Sequence, residues 1–215
     1  RTDTLNVWPA FTDTMLAFVL VLVLMVSYQV ARSIDLSTDD DEPDRGIVQR
    51  ETDQRRVGTL INDFKMRGYD IEVDTNGVIQ DLRFGSDVTF QSGDDVLSQQ
   101  GSQLLDDLAR EIAGRGSEKK IKMLIEIQVA GHTDDVPISN YKFQSNWELS
   151  TARATRVVES LIASGVDPGE ITMSATGYGE YSPLVPNATS PREKKSNRRI
   201  EMRLVYTNTL PEDRD

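Results

Sequence analysis

The first strong pattern in the chain is an apolar run, WPAFTDTMLAFVLVLVLMVSYQV, over residues 8–30. Between Trp8 and Tyr28 the only charged residue is Asp13. The run matches the ~20 residues that a helix needs to cross a bilayer. It is too long for a signal-peptide core and has no small-residue cleavage pattern. Trp8 and Tyr28 stand at its ends, as interfacial aromatics do. Residues 8–30 are therefore expected to form a transmembrane helix.

Six acids in ten residues follow at 35–44, DLSTDDDEPD, and 35–46 read as a solvated acidic linker. Arg32 is the only base close after the apolar run. The acidic side is expected to lie outside the cytoplasm. Residues 47–66 carry Val57, Leu60, Ile61 and Phe64 at helical spacing. They suit either a juxtamembrane helix that pairs with a second copy or a helix docked on the domain downstream.

Beyond residue 77 strand and helix patterns alternate. VIQDLRF (78–84) suits a first strand, and Leu104, Leu105, Leu108 and Ile112 share one face of a helix over 98–113. LIEIQVAG (124–131) alternates as a half-buried strand. Residues 146–165 form a helix that Ser145 or Asn146 can cap at its start and Gly165 at its end. ITMSATG (171–177) and IEMRLVY (200–206) alternate again. The order βαβαββ predicts an α+β fold, a two-layer sandwich with helices on one side of a mixed sheet. The predicted divisions are 1–7, a cytoplasmic tail remnant; 8–30, the transmembrane helix; 31–77, linker and helical segment; 78–206, the folded domain; and 207–215, a tail. Arg1 in place of an initiating Met suggests that residues are missing before it.

Composition narrows the chemistry. The chain has 215 residues and a net charge of −11, which argues against a nucleic-acid partner. It has no cysteine and one histidine, so thiolate chemistry, disulfides and a multi-His metal site within one chain are excluded. No cofactor is expected.

Asp13 lies about one turn inside the apolar helix. An ionised carboxylate in hydrocarbon costs at least ~2.5 kcal/mol, so such groups usually face a partner helix or a wet path. There the acid can load and unload a proton, or its oxygens can ligate a desolvated Na⁺. A position at the membrane interface, or a helix cap, is the plainer reading. One helix with one carboxylate cannot form a channel, so a conducting role implies partner helices.

In the soluble part, the strand at 124–131 runs into GHTDD (131–135). His132, Asp134 and Asp135 raise the thought of acid–base catalysis, but adjacent residues point apart and no nucleophile set accompanies them. A satisfied strand-end histidine and a loop-capping aspartate are the simpler expectations, and no enzyme is predicted. Arg153 lies about two turns into the helix at 146–165. Residues 192–199 hold five bases in eight positions, either a solvated charged stretch or an anion-binding edge. An aspartate and an arginine converging on one pocket would suit a zwitterionic ligand.

The motifs GHTD, SNWELSTARATRVVESLIASGV, ITMSATGYGEYSPLVPN and NRRIEMRL, in that order, closely resemble the OmpA-like peptidoglycan-binding domain over roughly residues 78–206. The helix at WPAFTDTMLAFVLVLVLMV resembles the single transmembrane helix of flagellar stator B subunits, the MotB and PomB group. The B subunit of the Zorya anti-phage system, which joins the same helix to the same domain, is a near alternative. The resemblance implies that Asp13 binds the transported H⁺ or Na⁺. It implies that Asp134 and Arg153 hold the diaminopimelate of a peptide stem, with Thr133, Asn146, Leu149 and Arg198 as other pocket positions and Asn197 beside them. It also implies a dimer inside a five-membered A-subunit ring, in the bacterial inner membrane, with the C-terminal domain gripping peptidoglycan in the periplasm. A passive tether between membrane and wall is the reading of another class.

Overall fold

The computed structural model describes residues 8–38, 45–115 and 119–210, with side chains described for all of these except 8–14 and 33–38. The chain divides into two units, Arg1–Asp44 and Arg45–Asp215.

The first unit holds helix α1, Trp8–Thr38. Its segment Met15–Arg32 has a mean hydropathy of 2.0 and is long and apolar enough to cross a membrane. At 1.5 Å per residue it would span about 27 Å, close to the thickness of a hydrocarbon core. Its leucines, valines and methionines are exposed, as lipid-facing side chains would be. The helix outruns the predicted 8–30, so residues 35–38 are helical rather than linker. Asp13 lies on α1, in the part whose side chains fall outside the described residues. The rest of the acidic stretch, 39–44, and the tail remnant 1–7 also fall outside them.

The second unit opens with α2, Arg45–Met66, then β1, Ile71–Asn76, and β2, Ile79–Gly85. A one-turn helix α3, Ser86–Thr89, leads to α4, Gln99–Ala113, and then β3, Leu124–Gly131. Helix α5, Asn146–Ala163, strand β4, Thr172–Gly177, helix α6, Pro191–Asn197, and strand β5, Arg199–Tyr206, complete it. The sheet order is β1-β2-β5-β3-β4. β3 and β4 run parallel and every other pair is antiparallel. The core gathers Val57, Ile61 and Phe64 of α2, Leu104, Leu105, Leu108 and Ile112 of α4, and Ala154, Val157 and Leu161 of α5. They pack on Leu82, Phe84, Ile127, Ile200, Met202 and Leu204 of the sheet. The opposite face carries charges paired across strands, such as Arg203 to Asp81 and Arg83 to Glu72 and Glu201. This is the predicted two-layer α+β sandwich, one sheet face apolar and one wet.

The folded unit reaches back to Arg45, ahead of the boundary drawn at residue 78. Two physical reasons extend it. α2 is a docked helix: Val57, Ile61 and Phe64 are buried in the core. Polar bonds hold it as well, with Asp53 accepting from the backbone N–H of Lys122 and Met123 at 2.8 and 2.9 Å. β1 is also part of the sheet, joined to β2 by a tight turn in which Gly77 has φ of +58°. Most of the stretch read as charged, 192–199, lies on α6, Pro191–Asn197. Pro191 opens it, and Ser190 and Glu193 make a reciprocal capping box.

Candidate functional site

β3 delivers Gly131, His132, Thr133 and Asp134 to one end of the sheet. α5 starts beside them, capped by Ser145, whose hydroxyl accepts from the N–H of Glu148 at 3.2 Å. Two glycines set how closely these elements approach. A Cβ on Gly131 would lie 2.1 Å from the Ser150 carbonyl oxygen, and one on Gly177 would lie 2.1 Å from Thr151 Oγ1. The small residues therefore let β3 and β4 sit against the first turns of α5. That brings Asn146, Leu149 and Arg153 against Thr133 and Asp134.

These residues line a cleft of about 550 Å³, completed by Asp87 and Phe90–Gly93 on one side and by Val136–Ile138 and Arg198 on the other. Asn146 steadies the loop after β3: its Nδ2 donates to the carbonyls of Asp134 and Val136 at 3.3 and 3.0 Å. Thr133 Oγ1 donates to the Asp134 carbonyl at 2.9 Å. Asp134 is buried, yet its carboxylate is presented to the cleft. Oδ1 accepts from the Val136 N–H at 3.2 Å, and Oδ2 accepts from Arg198 Nη1 at 2.7 Å.

Arg153 is only 4% exposed. Nε donates to the Asp94 carbonyl at 2.8 Å, Nη1 to Ser86 Oγ at 3.3 Å and Nη2 to the Gln91 carbonyl at 3.3 Å. The guanidinium also lies 5.2 Å from the centroid of the Phe90 ring. Every bonded partner is neutral, and among the described residues no carboxylate forms an ion pair with it. Burial lowers its pKa to about 10, partly offset by the charge of Asp87. It therefore remains a cation at neutral pH. Five N–H donors less three in use leave one on each Nη for a ligand.

Arg198 has the opposite surroundings. Nε and Nη2 grip Asp87 at 3.2 and 3.0 Å while Nη1 reaches Asp134. The bonds to Asp87 push its pKa up, burial opposes them, and Asp134 adds to the rise.

Of the residues singled out in the soluble part, Thr133, Asp134, Asn146, Leu149, Arg153 and Arg198 meet in this cleft. Asn197 does not line it; its carboxamide bonds both backbone groups of Val185, at 2.8 and 3.0 Å. Asp135 turns away to Lys194, at 2.8 Å. With Asp134 in the cleft and Asp135 outside it, the two acids form no catalytic pair. His132 is buried on the opposite face of the sheet, stacked on Tyr178 at 5.0 Å with Nε2 3.6 Å from Glu201. The basic run does not act as one anion-binding edge either: Lys194, Arg198 and Arg199 each turn to a different acid. Asp87 and the Phe90–Gly93 segment were missed. The pattern GSDVTFQSGDD had a readable signal in its Gly and Ser punctuation, but nothing local tied it to a site formed more than forty residues away.

A helix-backed mixed sheet with a charged cleft at the end of β3 defines the class. The chain belongs to the OmpA family, whose profile matches residues 89–198. Within that class it is similar to motility protein B of Bacillus subtilis, 43% identical over 37% of this chain and 30% of that protein. Among solved structures it resembles a putative MotB-like protein from Desulfovibrio vulgaris, 30% identical with a TM-score of 0.56, covering 74% of this chain and 99% of that one. It also resembles the cell wall anchor of the type VI secretion system from Pseudomonas aeruginosa. That chain is 25% identical with a TM-score of 0.57, covering 70% of this chain and 97% of that one. The matched segments span less than half the length of the curated motility B proteins.

Proposed function

We propose that this chain is the B subunit of an ion-driven rotary stator, anchored to peptidoglycan through the OmpA-family domain. The observation that carries the anchoring half is the buried Arg153 cation, which has no carboxylate of its own and shares its cleft with Asp134. A zwitterionic group fits that pair: its carboxylate takes the remaining Arg153 donors and its ammonium takes Asp134. The diaminopimelate side chain of a peptidoglycan stem ends in such a group. Thr133 and Asn146 hold the Asp134 loop in place, and Leu149 and Phe90 give the aliphatic stem an apolar wall. No proton or electron transfer is needed, so the site binds and does not catalyse.

The motor half rests on α1 and on the likeness to motility protein B. α1 crosses the inner membrane once and places the domain in the periplasm. Asp13 carries H⁺ or Na⁺ as a dimer of this chain turns against a ring of A subunits, in five copies. Each charge moved through 100 mV supplies about 2.3 kcal/mol. The wall-bound cleft provides the fixed point against which that energy becomes torque.

The test is cosedimentation of the full chain with purified wall sacculi. Asp134→Ala or Arg153→Ala is expected to weaken binding roughly tenfold to hundredfold, the worth of one charged hydrogen bond. Unchanged binding by both variants would refute the anchoring role. Asp13→Asn should leave anchoring intact and abolish ion flux in cells that hold the A subunit. The likeness to a cell wall anchor favours one second reading, a passive tether. It predicts that Asp13→Asn changes nothing while the cleft variants still release the wall.

A further inference from the structure

The cleft holds two acids, Asp87 and Asp134, and two bases, Arg153 and Arg198, and their pairing is uneven. Arg198 engages both acids while Arg153 engages neither directly. The grip of Asp87 is the larger one. It takes the Nε–Nη2 edge of the guanidinium with both oxygens, the planar fork that Arg and carboxylate favour. Asp134 receives one N–H, from Nη1. Asp87 is itself well placed to hold, because α3 is fastened on two sides. The Ser86 N–H donates to the Arg198 carbonyl at 2.9 Å, and Ser86 Oγ accepts from Arg153.

We propose that Asp87 is the positioning residue that sets the cleft's preference for a zwitterion over a plain carboxylate. By occupying the Nε–Nη2 edge of Arg198, it keeps that edge from closing on Asp134. The charge of Asp134 then remains available to a ligand ammonium, while Arg153 is the cation left for the ligand carboxylate. Without Asp87, Asp134 becomes the sole carboxylate bonded to Arg198. The two close into a fork of their own, and the cleft becomes a site for anions alone. This inference rests on the zwitterion reading of the cleft and adds the residue that makes it selective.

The experiment compares two tripeptides on the full chain in detergent by calorimetric titration. One is L-Ala–γ-D-Glu–meso-diaminopimelate. The other carries 2-aminopimelate at the third position, which keeps the distal carboxylate and removes its ammonium. The wild type is expected to prefer the first. Asp87→Asn should reduce that preference about tenfold while holding the affinity for the second, and Asp87→Glu should restore it. In an Arg198→Gln background, Asp87→Asn should no longer change the preference, because there is no guanidinium left to restrain. A wild-type preference kept by Asp87→Asn overturns the proposal. So does an equal loss of both peptides, or the same drop in preference with Arg198 already replaced. A wild type that does not prefer the ammonium-bearing peptide overturns the zwitterion reading itself, an outcome distinct from the others.

Discussion

Asp53 ties α2 to the start of β3 by buried polar bonds, and its replacement has a cost that can be worked out. Its carboxylate is fully buried. Oδ2 accepts from the N–H groups of Lys122 and Met123, at 2.8 and 2.9 Å, just before β3 and at its approach to the sheet. Oδ1 accepts from Gln49 Nε2 one turn earlier on α2, at 2.8 Å. Asp53→Ala leaves the Met123 N–H buried without a partner and the Lys122 N–H partly so. A buried donor left unmade costs about 1–3 kcal/mol. Taking about 2 kcal/mol for the first and about half that for the second gives a loss of about 3 kcal/mol. For a unit of this size each kcal/mol moves Tm by about 2–4 °C, so the melt should fall by roughly 6–12 °C.

Asp53→Asn keeps one carbonyl oxygen for the two N–H groups and should cost about half as much. Urea unfolding followed by circular dichroism measures both variants. Hydrogen exchange adds a local reading: residues 50–64 and the amides of 122 and 123 should lose protection together in Asp53→Ala. A loss below 1 kcal/mol, with protection unchanged at 122 and 123, would refute the reasoning. α2 would then be held by its apolar face, Val57, Ile61 and Phe64, with no measurable help from Asp53.

Three further outcomes follow from particular contacts. Gly131→Ala places a methyl 2.1 Å from the backbone oxygen of Ser150; it should cost at least about 2 kcal/mol in the urea midpoint and weaken sacculus binding by moving Asp134 from Arg153. Ser190→Ala removes half of the α6 capping box and should cost about 1 kcal/mol, with faster amide exchange at Glu193 as the local sign. Glu201 is held below its ordinary value of 4.5, chiefly by its polar contact with His132, 3.6 Å away, and then by its hydrogen bond from Arg199, with burial opposing. A depressed carboxylate contributes stability that is full above its unfolded pKa and is lost as pH falls through its folded pKa. The wild type should therefore lose stability steadily as pH drops below 4.5, and Glu201→Gln should flatten that limb. Parallel curves for the two proteins would contradict the assignment.

The long-period patterns were legible in the sequence because they are repeated choices of the same kind. Leu104, Leu105, Leu108 and Ile112 declare a helix face without reference to anything else, and Ile200, Met202, Leu204 and Tyr206 declare a strand in the same way. β1 gave a weaker sign. It is an edge strand with one fully buried residue, Ile71, so its alternation is faint, although Asn76-Gly77 is a hairpin turn signal. α2 was ambiguous for a different reason. Its docking face includes Asp53 and Gln54, which read as solvent positions until their backbone partners at Met123 and Gly77 are known. A polar side chain that satisfies distant backbone looks the same in sequence as one that faces water.

The cleft divides along the same line. Asp134, Asn146, Leu149 and Arg153 lie within twenty residues of one another, on a strand end and the helix that follows, so their convergence is a local fact. Asp87 reaches the site only because Phe84 of β2 pairs with Ile200 and Gly85 with Arg199, which sets the start of α3 against Arg198. The charge on Arg198 was visible in the run at 192–199, but its availability was not. A base held by two acids and a buried base held by none are the same letter in the sequence. Which of the two can bind an anion depends on their partners, and the register that sets Phe84 against Ile200 and Gly85 against Arg199 chooses those partners.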